Sequence, residues 1–214
     1  MKKIRVAIAG GTGYTGGELF RILLNHPNVE IVAATTTSSE GVRVDSVHRD
    51  LIGETDLCFG YELNDPDVIF LCLGHGISRQ FVDTHEIKPE CRIIDLGNDF
   101  RVESSYEGKD FVYGLAELRK EEIAKCNYLA NPGCFATCIQ LALIPLAAKG
   151  LISDEIHIHA IINGKKDNAD VKNDEKDTPI NNTMPLYLKD PKDCTEEEYK
   201  EFYRQTKQEY PCHF

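Results

Sequence analysis

The chain is predicted to form a doubly wound α/β domain around a mostly parallel sheet, and three observations carry that expectation. Short apolar runs recur at 4–9, 29–34, 67–73 and 92–96. Helix-period stretches separate several of them, the alternation expected of βαβ units. The first run empties into a glycine-rich loop that leads straight into a helix-period segment.

Ile4-Arg5-Val6-Ala7-Ile8-Ala9 is the first predicted strand. The loop Gly10-Gly11-Thr12-Gly13-Tyr14-Thr15-Gly16-Gly17 follows, and a helix is predicted from Glu18 to His26, stopped by Pro27. Strand, glycine loop and helix in that order are the context a Gly-x-x-Gly-x-x-Gly dinucleotide fingerprint requires, and the fold is therefore of Rossmann type. Gly10 permits the tight turn, Gly13 lets backbone approach a pyrophosphate, and Gly16 allows close helix–strand packing, with the phosphates on the helix N-terminus. The plain alternative is a βα turn without a ligand. A P-loop is excluded, because Gly17 and Glu18 stand where Lys and Ser/Thr are needed. His48-Arg49-Asp50-Leu51 is not a kinase catalytic loop, since Thr55 replaces the required Asn.

Val29 to Ala34 is the second predicted strand. A carboxylate at its tip would read the ribose 2'-hydroxyl of NAD. The tip is Thr35-Thr36-Thr37-Ser38-Ser39, hydroxyls without a carboxylate, which favours NADP over NAD. Ser38 is the candidate contact there, with Arg43 as a possible aid. The segment from Gly41 to Tyr61 has no clear pattern. Asp67 to Leu73 is a buried strand leading to Gly74-His75-Gly76, and Ile77 to His85 is helical. Arg92 to Leu96 leads to Gly97-Asn98-Asp99-Phe100-Arg101. Loops at the C-terminal ends of parallel strands are where such sheets bind ligands. His75 and Arg101 are thus expected at the cleft, Arg101 with a planar fork suited to carboxylate or phosphate. A solvated histidine and a surface salt bridge are the plain alternatives.

The remaining chemistry lies in Asn131-Pro132-Gly133-Cys134-Phe135-Ala136-Thr137. Tyr128-Leu129-Ala130 reads as a strand, Pro132-Gly133 as a sharp turn, and about 135–148 as an apolar helix. A cysteine at a helix N-terminus sits near partial positive charge, which favours the nucleophilic thiolate. A buried structural cysteine is the alternative. Beyond it, Asp154 to Ile162 alternates as a strand, with His157 and His159 on one face and no third metal ligand in view.

The formal net charge of −11 argues against a nucleic-acid binder, which needs a basic face. No apolar run is long enough to span a bilayer, and no cleavable apolar segment opens the chain. The eight cysteines show no Cys-x-x-Cys pair and no zinc-ligand spacing, so a reduced, cytoplasmic setting is expected. No metal is expected.

Gly10 to Glu18, Leu73-Gly74-His75-Gly76, Asp95 to Arg101, Tyr113-Gly114-Leu115-Ala116-Glu117 and Asn131 to Thr137 together resemble N-acetyl-gamma-glutamyl-phosphate reductase. This is the arginine-biosynthesis member of the aspartate-semialdehyde dehydrogenase-like group, and the resemblance covers about residues 3–162. It implies NADPH-dependent reduction of an acyl phosphate through a thioester on Cys134. It also implies cofactor contacts at Gly10, Thr12, Gly13, Tyr14, Thr15 and Gly16, and substrate held by Arg101. In that group a further domain supplies a catalytic histidine and much of a dimer surface, so a homo-oligomer is expected.

The expected organisation is therefore a NADP-binding domain at 1–150, the first strand of a truncated substrate domain at 151–162 and a charged linker at 163–183. Residues 163–177 are polar and nearly free of large apolar side chains, as a disordered linker is. Residues 184–214 contain Thr195 and Glu198 in capping-box spacing before an aromatic-striped helix. This tail, at about 178–207, resembles the start of the middle domain of an Hsp90-type chaperone. Three functions follow: a catalytically incomplete reductase, an inactive dinucleotide-binding module, or a chimeric interaction fragment.

Overall fold

The computed structural model describes residues 2–74 and 76–152, and two short strand segments at 156–158 and 182–184. The linker core and the chaperone-like tail from residue 185 on lie outside the described residues, as do His75 and His159. The boundary between the chain's two compact units falls between Gly133 and Cys134.

The first unit is built on a seven-stranded sheet. Its strands are β1 (Ile4–Ala9), β2 (Val29–Thr35), β3 (Val68–Leu71), β4 (Arg92–Asp95), β5 (Ser105–Tyr106), β6 (Lys109–Tyr113) and β7 (Tyr128–Ala130). They lie in the order β2-β1-β3-β4-β7-β6-β5, and only the β5–β6 pair is antiparallel. The strand order reverses between β1 and β3, the position at which a doubly wound sheet opens a crevice for ligands.

Both faces of the sheet are covered, which is why its strands read as continuous apolar runs rather than alternating ones. Val6 and Ile8 of β1 enter a core with Phe20, Leu23, Val44, Leu51 and Phe59. Ala7 and Ala9 enter the opposite core with Ile69, Leu71, Phe81, Ile93, Phe100 and Phe111. The rings of Phe100 and Phe111 stack with centroids 3.9 Å apart.

The helices of this unit are α1 (Tyr14–Leu24), α2 (Val44–Val47), α3 (Ser78–Thr84) and α4 (Ala116–Lys125). α1 begins at Tyr14, not Glu18, so Tyr14, Thr15, Gly16 and Gly17 form its first turn. The glycines hid that turn, since glycine is a poor helix former; here packing overrides propensity. The unpatterned segment after β2 holds α2 and a 3-10 turn at Arg49–Leu51, and single bridges join Thr35 to Gly60 and Arg43 to Cys58. It folds over α1, with Val44, Leu51 and Phe59 buried against Phe20. β5, β6 and α4 had no sequence assignment. α4 buries none of its side chains and so carries little amphipathic signal.

The second unit begins with α5 (Cys134–Ala147), one residue from the expected start. Within the expected strand after it, β8 (Ile156–Ile158) pairs antiparallel with β9 (Asn182–Met184), which overlaps the end of the predicted linker. Among the described residues no helix is long and apolar enough to cross a membrane.

Phe20 is fully buried where α1, β1 and the 41–60 segment meet. Phe20→Ala is expected to cost about 3–5 kcal/mol, read as a lowered midpoint in urea unfolding with an unchanged slope.

Candidate functional site

The glycine loop is a cradle in which backbone approaches backbone. Gly10 has φ +77°, and a Cβ there would lie 2.4 Å from the Cys72 carbonyl oxygen. A Cβ on Gly16 would lie 2.7 Å from both Cα and O of Gly11. Neither position accepts a side chain. The amides of Gly10 and Gly11 both donate to the Thr35 carbonyl, at 3.2 and 3.1 Å, and Gly13 N donates to Gly10 O at 3.2 Å. Gly13 caps α1 without a side-chain hydrogen bond, and the first turn carries no acidic residue. The positive end of α1 is therefore left open to an anion. Tyr14 stands at its mouth, 83% exposed.

Thr35 and Thr36 are buried at the tip of β2, and Thr37 and Ser38 are exposed beyond it. Ser38 N donates to Thr36 Oγ1 at 3.3 Å, which curls the tip back on itself. Arg43, expected to aid this tip, is engaged elsewhere. Its Nε and Nη2 donate to the Asp45 carboxylate at 2.9 and 2.6 Å, and its Nη1 to Asp56 at 2.9 Å. Arg43 in turn holds the Asp45 carboxyl below the usual carboxylate range. Two carboxylates share the fork, one two residues on and the other thirteen.

At the end of β4, Asp95 is fully buried. Its Oδ1 accepts from Ser78 Oγ at 2.6 Å and from Gly97 N at 3.1 Å. Its Oδ2 has no hydrogen-bond partner among the described residues. Burial pushes the Asp95 carboxyl up to about 6; the Ser78 and Gly97 hydrogen bonds and the Arg101 charge oppose the shift, and Asp99 adds to it. Asp99 accepts from Gly76 N at 2.7 Å and from Arg79 N at 3.2 Å at the start of α3.

Arg101 donates from Nε to Asn131 O at 2.7 Å and from Nη2 to Leu96 O at 2.9 Å. A Cβ on Gly133 would lie 3.0 Å from its Nη1. The guanidinium thus ties the loop after β4 to the Asn131-Pro132-Gly133 turn. Cys134 follows that turn as the first residue of α5; it is free and exposed, and so is Cys138 one helical turn on. All six described cysteines are free. Cys91 is buried, and burial pushes the partly buried Cys72 thiol up to about 12. Among the described residues no group of three or more His, Cys, Asp or Glu side chains is placed to hold a metal ion.

The family described as "Semialdehyde dehydrogenase, NAD binding domain" matches residues 5–126, more than half of the chain. The chain belongs to that family. An N-acetyl-gamma-glutamyl-phosphate reductase of Azobacteroides pseudotrichonymphae is 54% identical over 160 residues, covering 74% of this chain and 50% of the relative. The protein of the same name from Flavobacterium johnsoniae is 51% identical over 160 residues, covering 73% and 49%. The motif-based resemblance is thus borne out, and the chain spans about half the length of the curated relatives it matches. Among solved structures, aspartate semialdehyde dehydrogenase from Candida albicans with NADP superposes with a TM-score of 0.52 at 16% identity. It covers 71% of this chain and 48% of its own, a likeness of fold.

Within this semialdehyde dehydrogenase domain, three polar anchors escaped the sequence reading: Asp95, Asp99 and His48. The first two sat inside a motif noted for Arg101. His48 sat in a segment without pattern, and nothing local marked it as buried.

The burial of the Asp95 carboxyl makes stability depend on pH. Below about pH 4 the carboxyl is protonated in folded and unfolded chains alike. Between about pH 4 and 6 the unfolded chain loses its proton first, so stability falls, by about 3 kcal/mol in all for a shift to about 6. Above that the loss is constant. Asp95→Asn keeps an oxygen for Ser78 and Gly97 and removes the buried charge. It is expected to raise the melting temperature at pH 8 by several degrees and to give no gain at pH 4; equal gains at both would contradict this origin.

Proposed function

We propose that this chain is the cofactor-binding, nucleophile-bearing half of an NADPH-dependent reductase acting on N-acetyl-glutamyl phosphate. The observation that carries the reading is the Gly10–Gly16 cradle at an open helix end, in a chain that is 54% and 51% identical over 160 residues to two reductases of that name. Two backbone surfaces pressed too close for any Cβ suit a pyrophosphate, which needs amides and a helix dipole rather than side chains. Gly10, Thr12, Gly13, Tyr14, Thr15 and Gly16 hold it. Ser38, exposed at a carboxylate-free tip, takes the 2'-phosphate that distinguishes NADP from NAD.

The Cys134 thiolate attacks the acyl carbon, and the carbon–oxygen bond to phosphate breaks, leaving a thioester and free phosphate. NADPH, when bound, supplies the hydride that reduces the thioester, whose sulfur leaves as thiolate and returns Cys134 to its starting form. Arg101 orients the anionic substrate with its charge while its Nε and Nη2 brace the Asn131–Gly133 turn. The groups that deliver the proton and enclose the substrate fall to the half of the relatives that this chain does not match. Acylation of Cys134 is therefore expected to outlast full turnover, since positioning and proton transfer each contribute orders of magnitude.

The match of a NAD binding domain model to residues 5–126, short of Cys134, favours one other reading, a module that binds the cofactor without chemistry. Mixing the protein with acyl phosphate in the absence of cofactor separates the two. The reductase reading expects stoichiometric phosphate release and an acyl adduct that intact-mass analysis places on Cys134, both lost in Cys134→Ser. No adduct, or an adduct unchanged in Cys134→Ser, would leave only the binding module. The interaction-fragment reading rests on residues outside those described.

A further inference from the structure

His48 is remote from the glycine loop in sequence, yet its imidazole is built into it. The ring is buried and lies near Phe20 and Phe59, with centroids 5.7 and 6.5 Å away. Its Nε2 lies 2.8 Å from the carbonyl oxygen of Gly11. A carbonyl only accepts, so Nε2 carries the proton and donates. On the other side of the ring, Nδ1 lies 2.7 Å from where a Cβ on Gly17 would stand. Glycine at 17 is what lets the imidazole lie flush against the first turn of α1.

Gly11 is held from every direction. Its amide donates to Thr35 O, and a Cβ on it would meet Phe59 at 3.0 Å and Phe20 at 3.3 Å. Gly16 presses against its Cα. Among the described residues, the His48 bond is the one that fixes its carbonyl. No peptide in the described residues is cis. In a trans peptide the C=O and the next N–H point in opposite directions. Drawing Gly11 O toward His48 therefore aims the Thr12 N–H to the opposite side of the loop. Without that bond, a peptide beside a glycine is free to rotate.

We propose that His48 is a positioning residue for nucleotide binding: its Nε2–H fixes the Gly11–Thr12 peptide so that the Thr12 amide is presented to the pyrophosphate of the cofactor. The proposal rests on the dinucleotide reading of the loop. It assigns His48 no contact with the cofactor; it acts through Gly11.

A histidine that only filled the core would affect all ligands alike, so the test compares two probes on the full chain, well below its melting temperature. NADPH contains the pyrophosphate; adenosine 2'-monophosphate contains the 2'-phosphate and lacks the pyrophosphate. His48→Leu is expected to weaken NADPH about tenfold and to change adenosine 2'-monophosphate less than about twofold, by fluorescence and NMR titration. His48→Gln, whose amide nitrogen reaches about as far as Nε2, is expected to recover NADPH binding to within about threefold of the unsubstituted chain. If His48→Leu does not fold, His48→Asn, whose amide falls short of Gly11 O, takes its place.

Equal weakening of both probes, no weakening of NADPH, or failure of His48→Gln to recover it would each overturn the proposal. Failure of the underlying reading looks different: the unsubstituted chain would then bind neither NADPH nor NADH, and the proposal would fall with it. A preference for NADH would remove only the 2'-phosphate reading, and the same comparison would run with NADH against adenosine.

Discussion

The first unit depends on one steric constraint, the close passage of the glycine loop between β1, β3 and α1. Gly10 is pressed on the Cys72 carbonyl and Gly16 on Gly11, at separations that leave no room for a Cβ. The order β2-β1-β3 puts this passage at the point where the sheet's winding reverses. The uncapped start of α1 follows from it, because the loop amides not tied to Thr35 or Gly10 are left at a helix end that no side chain caps. Phe20 and Phe59 form the floor beneath Gly11, so loop geometry and core packing are one structure. Changing either moves the other.

A second organising contact sits at the end of β4. Arg101 braces the turn before Cys134 by donating to Asn131 O and Leu96 O, and Asn131 N donates to Asp95 O at 2.8 Å. Asp95 itself is buried as a carboxyl whose second oxygen has no partner among the described residues. It holds the Gly97 loop and the start of α3 through Ser78 and Gly97, at a cost that grows as pH rises. The strand end thus carries an electrostatic cost, as binding and catalytic loops in α/β proteins often do.

Five of the sheet's seven strands were legible because they stand out as apolar runs, whereas the more exposed β5 and β6 do not; β1 is matched to the residue, and the starts of β2 and β4 agree. The glycine loop was legible because its spacing reflects sterics that permit only glycine. The start of α1 was misplaced for the same reason, since glycines that pack well also mask a helical turn. α4 was invisible because none of its residues is buried. The commitments of Arg43 to Asp45 and Asp56, and of His48 to Gly11, were not legible at all. Polar pairs leave no periodicity, whether the partners are two residues apart, as Arg43 and Asp45 are, or brought together by the fold, as His48 and Gly11 are.

The most direct measurement of the central claim, that the Gly10–Gly16 cradle holds a nicotinamide dinucleotide, is a titration of the unmodified chain with NADPH and with NADH. Nicotinamide fluorescence reports binding, and the melting temperature reports stabilisation by mass action. The account predicts saturable NADPH binding with a raised melting temperature, and weaker binding of NADH. Absence of binding and of any thermal shift with both nucleotides, for a chain shown to be folded by circular dichroism, would contradict it.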